Sequence, residues 1–245
     1  MWLQFDGIHN VRDLGGLPAA GGKTVRYGRL IRGAALTEAS DRDLERLSGD
    51  LSVKHLVDFR FADEGVRQPN RPIPGAEIHV LPALERVGGL PRPSEEEPDF
   101  FHLFQGIYAR FAESDHTAAA YRAFFDILLN CEEGAVYFHC AQGKDRTGIA
   151  AILTLTALGV DRDKAVEDFF LSVEGLRCEL EKPTMPGSAN WSLATRERLV
   201  FVFPEALAQF TDRVDQNFGG LEGFLRQRIG LTDGEFERLR ELYLE

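Results

Sequence analysis

Residues 139–148 read HCAQGKDRTG, so one of the chain's three cysteines follows a histidine and is separated by five residues from an arginine. A free thiol, with a pKa of about 8.5, is only a few per cent thiolate at neutral pH, but helix N-termini and neighbouring cations draw such pKa values down to about 3.5–7.5. If the residues after Cys140 turn and a helix begins near Arg146-Thr147, successive backbone N–H groups point inward, where the helix dipole adds about half a positive charge. Such a nest holds a tetrahedral anion. Cys140 would sit at its floor as a nucleophile, and the planar fork of Arg146 would offer two parallel hydrogen bonds that a lysine cannot reproduce. The chemistry this pattern points to is attack of a thiolate on phosphorus. Ala141, Gln142, Gly143, Lys144, Asp145, Arg146 and Thr147 would cradle the equatorial oxygens, and water would hydrolyse the resulting cysteinyl-phosphate. A bare Cys-x5-Arg is a weak signal; His139, Gly143 and Thr147 in the same ten residues make it specific.

The elements around the loop have to deliver those groups. AVYFHC (135–140) reads as a buried strand and RTGIAAILTLTALG (146–159) as a buried helix stopped at Gly159, which gives a strand-loop-helix junction. VKHLVDFR (53–60) reads as a second buried strand, with Asp58 and Arg60 at the carboxyl edge where open α/β sheets bind ligands. Residues 10–32, with Gly15-Gly16, Pro18 and Gly21-Gly22, read as a β-hairpin or ribbon. In LTEASDRDLERLSG (36–49), Thr37 or Ser40 is the N-cap of a helix that Gly49 ends. LERVGGLPRPSEEEPD (84–99) is loop-like. The stripe Phe100, Leu103, Phe104, Ile107, Tyr108 and Phe111 then lies on one helical face, so 84–112 is either a lid or a loop followed by a helix packed on the core. SDHTAAAYRAFFDILL (114–129) is a further helix. Asp161 caps one that runs through Phe170, Pro204 opens one that Gly219 closes, and TDGE (232–235) is a capping box for the last, so three helices close the chain. The expected architecture is α/β: a mainly parallel central sheet flanked by helices, with an N-terminal β-hairpin, a helical lid and a helical tail over about 200–245, all in one domain, 1–245.

The 245 residues, 44% hydrophobic and 27% charged, suit a globular domain with a substantial core. A net charge of −11 argues against a general electrostatic grip on nucleic acid or anionic membrane. An anionic substrate would then need local positive charge, for which Arg26, Arg29, Arg32 and Arg60, in or beside strand-like segments, are candidates. The longest apolar run, Ile149–Leu158, falls short of the about 18–20 residues of a bilayer span, so no stable membrane insertion is expected. MWLQFDGIHNVRDLGG lacks the basic and apolar regions of a Sec signal; cytoplasm is the expected compartment, although a dedicated export system would leave no such trace. An odd cysteine count argues against a disulfide framework, and Cys131 and Cys178 read as ordinary helix-end residues. His9, His55, His79, His102 and His116 show no usable pattern. No metal is expected at the loop, because His139 and Cys140 are adjacent and no second pair stands at ligand spacing.

HCAQGKDRTG matches the HCx5R(S/T) signature and resembles the cysteine-dependent protein tyrosine phosphatases, in the Gly-Lys-Asp-Arg-Thr-Gly form of an atypical bacterial branch. NVRDLGG (10–16), LIRGAAL to LVDFR (30–60) and GGLEGFLRQRIGLTDGEFERLRELYL (219–244) are similar to that branch as well. The resemblance implies phosphomonoester hydrolysis without metal or organic cofactor. The substrate would be a phosphorylated protein, through phosphotyrosine or phosphoserine/threonine, or a phosphoinositide. It also implies that Cys140 is the nucleophile, that Arg146 binds phosphate, that the Thr147 hydroxyl reaches the thiolate, and that His139 holds the loop. Gly143 and Gly148 would permit turns a Cβ would obstruct. Better-known members take their general acid from an aspartate after Trp-Pro, but Trp2 precedes Leu-Gln and Trp191 precedes Ser-Leu, so the candidates are Asp145 and Asp58. Asp145 could equally be an ion-pair partner of Arg146. Lys144 stands where inositol-phosphate phosphatases carry a lysine, which hints at phosphate-rich substrates; the alternative is a solvated lysine at the loop rim. Rival readings are a rhodanese-like sulfurtransferase and a non-catalytic phosphoprotein-binding module. A nucleotide P-loop fails, because Asp145 follows Gly143-Lys144 and Phe138 occupies the upstream glycine position. Oligomeric state is left open.

Overall fold

The structure is a computed structural model that describes residues 1–85, 99–181 and 191–245. Its centre is the strand ending in the cysteine loop. Five strands, β1 (Arg12–Asp13), β2 (Leu30–Gly33), β3 (Val53–Asp58), β4 (Glu77–Val80) and β5 (Ala135–His139), form one sheet in the order β1-β2-β5-β3-β4. β5 runs parallel to β2 and β3, β3 parallel to β4, and only the β1–β2 pair is antiparallel. Both faces of the central strand β5 are covered, which is why its residues before His139 are apolar and all buried. Val136 and Phe138 enter one core with Phe124, Ile152 and Phe210, while the alternating Ala135 and Tyr137 enter the other with Ile31, Leu44 and Leu56. Register places Gly33 and Asp58 both opposite His139, so β2, β3 and β5 end level at one carboxyl edge.

The flanking helices are α1 (Asp41–Ser48), α2 (Ala62–Arg67), α3 (Phe100–Glu113), α4 (Asp115–Asn130), α5 (Asp145–Ala157) and α6 (Arg162–Phe170). Next come α7 (Ser172–Gly175), a 3-10 turn (Arg177–Glu181), α8 (Leu193–Val200), α9 (Pro204–Phe218), α10 (Leu221–Phe224), a π-turn (Leu225–Ile229) and α11 (Asp233–Tyr243). The C-terminal part is therefore more broken than three helices. The sequence reading passes over α7 and α10 because a four-residue helix is a single turn and carries no apolar period. It also passes over α2 and β4; Ile78 and Val80 of β4 are exposed, so that strand lacks a buried stripe. The expected N-terminal ribbon is reduced to the two-residue β1 pairing with β2 and a Pro18–Thr24 bridge. Asp13 explains the loss of ladder: its carboxylate accepts the N–H groups of Gly15 (2.8 Å) and Gly28 (2.7 Å), drawing both strand ends into turns.

Ser40, not Thr37, caps α1, in a reciprocal capping box with Asp43. The stripe of α3 turns inward as expected, with Phe100, Phe104, Tyr108 and Phe111 buried and the helix packed along α9. Residues 86–98, the greater part of the expected lid loop, lie outside the described residues. Among the described residues no helix is long and apolar enough to cross a membrane.

Residues 244–245 pair with the segment at Thr24–Val25. Thr24 and Glu245 exchange backbone hydrogen bonds of 2.9 Å, and Val25 bridges Leu244. The start of α11 is anchored by Glu235, which caps with Thr232 and accepts hydrogen bonds from Arg122 of α4. The Arg122 hydrogen bond is the main cause holding the Glu235 carboxyl down to about 2, from an ordinary 4.5. A depressed carboxylate contributes its stability fully above its unfolded pKa and loses it as pH falls through the folded value. The melting-temperature gap between wild type and Glu235→Gln is therefore expected to be constant near neutral pH and to narrow from pH 4.5 toward 2. Thermal melts across that range check it; a gap that stays constant would contradict the pairing.

Candidate active site

Residues 141–144 run from the end of β5 to the start of α5, and the loop's shape is imposed from behind. Gly143 has φ +68°, and a Cβ there would lie 2.1 Å from the Gly33 carbonyl oxygen, so both its conformation and its surroundings require glycine. The side-chain amide of Asn10 donates to the carbonyls of Gln142 (3.0 Å) and Gly143 (3.2 Å), and Arg32 donates to Gly143 (2.8 Å). With these carbonyls drawn backward, the N–H groups of residues 141–144 find no acceptor among the described residues. They open instead at the N-terminus of α5, which has no side-chain cap. An oxyanion is the natural complement of that arrangement.

Behind Asn10 and Arg32 stands Asp168 of α6. It accepts from Arg12 (2.7 Å) and Arg32 (2.6 Å), and Arg12 in turn donates to the Asn10 side-chain oxygen (2.6 Å). Burial pushes the Asp168 carboxyl up, but the two guanidinium groups outweigh it and hold the group below its ordinary value. Burial, with Arg12 beside it, lowers Arg32 to about 10, so it remains charged at neutral pH.

His139 is fully buried. Its Nδ1–H donates to the Cys140 carbonyl (2.8 Å), and its Nε2 accepts from the Asn70 amide (3.1 Å). Burial lowers its pKa, which favours this neutral tautomer. The residue thus ties the loop's first carbonyl to β3 and the segment after it. Cys140 is buried below the loop. Thr147 is also buried, and its hydroxyl has no hydrogen-bond partner among the described residues. Gly148 plays another part than expected: it lies within α5 without positive φ, and a Cβ there would meet the Phe169 ring at 2.6 Å, so it permits close helix packing rather than a turn.

Arg146 is oriented by a residue the sequence reading does not single out. Its guanidinium donates to both carboxylate oxygens of Glu64 on α2, at 2.6 and 3.2 Å, and lies over the Phe61 ring. Burial raises the Glu64 carboxyl, yet the Arg146 hydrogen bonds and charge bring it below the ordinary value. A visible sign was the FADE run just after β3, in which Glu64 also accepts the Phe61 N–H (2.8 Å).

The two acid candidates separate clearly. Asp58 is buried against Arg60, which donates to both its oxygens, and it accepts from Asn70 as well. Burial raises its carboxyl, but the Arg60 hydrogen bonds and charge bring it below the ordinary value, so Asp58 is a fixed anion that ties β3 to the following loop. The general-acid candidate Asp58 is thus placed with both carboxylate oxygens engaged by Arg60. Asp145, in the first turn of α5, does not pair with Arg146. It accepts from the Tyr108 hydroxyl at 2.7 Å and keeps a 17% exposed side chain.

Lys144 also departs from expectation. Rather than lying solvated at the loop rim, it is buried, with its ammonium donating to the carbonyls of Leu199 (2.6 Å) and Phe201 (3.2 Å) over the Phe104 ring and standing 3.7 Å from an Asp145 carboxylate oxygen. Burial lowers its pKa. What it adds to the cradle is its backbone N–H. The candidate arginines are likewise committed elsewhere: Arg26 to the Leu244 carbonyl, Arg29 to that of Cys131, Arg32 to Asp168, and Arg60 to Asp58. Cys131 ends α4, and Cys178 is exposed in the 3-10 turn.

A family model described as the tyrosine phosphatase family matches residues 3–245. A Cupriavidus necator protein named as a tyrosine-protein phosphatase is 31% identical over 255 residues, covering 99% of this chain and 88% of that protein. The triple specificity protein phosphatase PtpB of Mycobacterium tuberculosis is 26% identical, covering 98% of each chain. A tyrosine-protein phosphatase of Nostoc commune is 24% identical, covering 91% of this chain and 76% of its own.

Proposed function

The chain belongs to the tyrosine phosphatase family, and we propose that it hydrolyses phosphotyrosine monoesters through a cysteinyl-phosphate formed on Cys140. The observation that carries this reading is the cradle itself: the N–H groups of residues 141–144 stand without acceptors among the described residues, at the N-terminus of α5 directly after Cys140. A phosphoryl group seated there has three oxygens to satisfy the loop N–H groups and the Arg146 guanidinium, whose Glu64 partner keeps it in place.

In the first step the Cys140 sulfur forms a bond to phosphorus while the bond from phosphorus to the ester oxygen breaks. Asp145 gives its proton to that departing oxygen. In the second, water attacks phosphorus, Asp145 takes the water's proton, and the sulfur–phosphorus bond breaks to release phosphate and restore the thiolate. Thr147, with its unpartnered hydroxyl, is the donor that stabilises sulfur as it leaves. Tyr108, whose own pKa burial and the Asp145 charge push well up, stays a hydroxyl donor and holds Asp145 in position. Tyr108 and Phe104 both belong to α3, so this core-packed helix positions Asp145 and the Lys144 ammonium together.

The leaving group tests Asp145. Asp145→Asn is expected to slow turnover of aryl phosphates with poor leaving groups by about 10²–10⁴-fold and to affect activated esters far less. Equal loss on all substrates would remove the acid assignment. A panel of phosphotyrosyl, phosphoseryl and phosphothreonyl peptides and a phosphoinositide, assayed in EDTA, tests the substrate class. Phosphotyrosine is expected to lead, since the residue that hinted at phosphoinositides, Lys144, turns its ammonium onto backbone carbonyls.

A further inference from the structure

We propose that His55, Glu77 and His79 form a zinc-class divalent metal site on the outer two strands of the sheet, separate from the phosphate cradle. The parallel register puts His55 opposite Glu77 and Val57 opposite His79. Because strand side chains alternate with a period of two, all three donors rise from the same face of β3 and β4. His55 Nδ1 and His79 Nε2 are 3.0 Å apart, and the Glu77 Oε2 lies 3.9 and 3.8 Å from them. A tetrahedral ion with bonds of about 2.0–2.1 Å places its ligand atoms about 3.4 Å from one another. The three donors are thus near the required triangle already, on paired strands that hold them there.

The chemistry of the set agrees. Two imidazoles and a carboxylate are a donor set that zinc accepts, with the fourth position left to water. His55 Nδ1 and His79 Nε2 already face one another at hydrogen-bond distance, so both nitrogens point at a common position beside the Glu77 carboxylate. The side chains of His55 and His79 are 22% and 20% exposed, which leaves an entry path, and Glu77 at 68% can swing onto an ion. A second cluster, His9, Cys178 and Glu179, fits less well. There Cys178 meets Nδ1 and Glu179 meets Nε2 of one ring, and a single ion cannot take both contacts.

Binding at this site would pin the exposed edge strand β4 to β3, whose next residues lead to Asp58. Its consequence is stabilisation, as for any ligand that binds the folded chain alone. The test uses the full chain as Cys140→Ser, so that the loop thiolate does not bind metal, stripped with chelator and then titrated with Zn²⁺ against a chromophoric chelator and separately with Co²⁺. One equivalent of each is expected, with Co²⁺ giving the visible bands of a tetrahedral site and no sulfur charge-transfer band. Loss of a direct ligand should weaken binding by about 100-fold or more, at least the upper range for outer-shell changes, in His55→Ala and in His79→Ala. His79→Asn, checked by circular dichroism, guards against a folding defect. Retention of the starting affinity by either correctly folded histidine variant would overturn the proposal. So would binding lost in Cys178→Ser, or no binding of one equivalent.

Discussion

Cys140→Ser is expected to reduce phosphate release by about 10⁴-fold or more while leaving phosphate affinity nearly unchanged. The substitution exchanges sulfur for a hydroxyl oxygen that ionises far less readily, so attack on phosphorus fails. The cradle does not depend on that sulfur. Its carbonyls are held by Asn10 and Arg32, its first turn by His139, and its arginine by Glu64. Turnover of para-nitrophenyl phosphate in EDTA and phosphate binding by calorimetry measure the two quantities independently. Loss of both together would mean that the cysteine shapes the loop, and retention of turnover would exclude it as nucleophile.

The second large effect is on stability. Asp168→Asn is expected to cost about 3–5 kcal/mol, the range for removing one partner of a buried ion pair. Arg12 and Arg32 are 1% and 0% exposed, and this carboxylate bonds both, so the substitution leaves two guanidinium groups in the interior without their shared counter-charge. Urea denaturation measures the cost. Since the Asp168 carboxyl is depressed, its contribution is complete above the ordinary value of 3.8 and is lost as pH falls through the lower folded value. The gap between wild type and Asp168→Asn should therefore be constant above about pH 5 and shrink in stronger acid. A loosened Arg32 also releases the Gly143 carbonyl, so weaker phosphate binding is expected to accompany the lost stability. A difference below about 1 kcal/mol would show the network to be dispensable.

The nucleophile loop was legible because its chemistry lies in ten consecutive residues between a strand and a helix whose patterns are plain. The parallel sheet was legible for a similar reason: β5 is buried on both faces and reads as an apolar run, and β3 sends Leu56 and Val57 into opposite cores. What holds the loop is distributed differently. Glu64 reaches Arg146 across 82 positions from a six-residue helix with no buried residue, too short to show a period. Asn10, Arg12 and Arg32 stood inside stretches that drew attention by resemblance, yet no pattern in one sequence says that an amide and a guanidinium will grip the loop's carbonyls. Lys144 shows a second limit. Sequence reveals a charge beside the cysteine, but not where four methylenes carry it, and here burial beside Phe104 and two open carbonyls at the end of α8 decided the direction. The proposed preference for Asp145 over Asp58 likewise rests on the Arg60 fork, which engages both oxygens of Asp58 and is invisible in the sequence.

In the proposed reaction sulfur, not water, first attacks phosphorus. Acid quench of wild-type enzyme during turnover of para-nitrophenyl phosphate, followed by peptide mass mapping, tests it most directly. A phosphoryl adduct on the peptide containing Cys140, absent from Cys140→Ser and appearing as fast as the first turnover, is the predicted result. Turnover with no adduct, or an adduct on His139 or another residue, would contradict it.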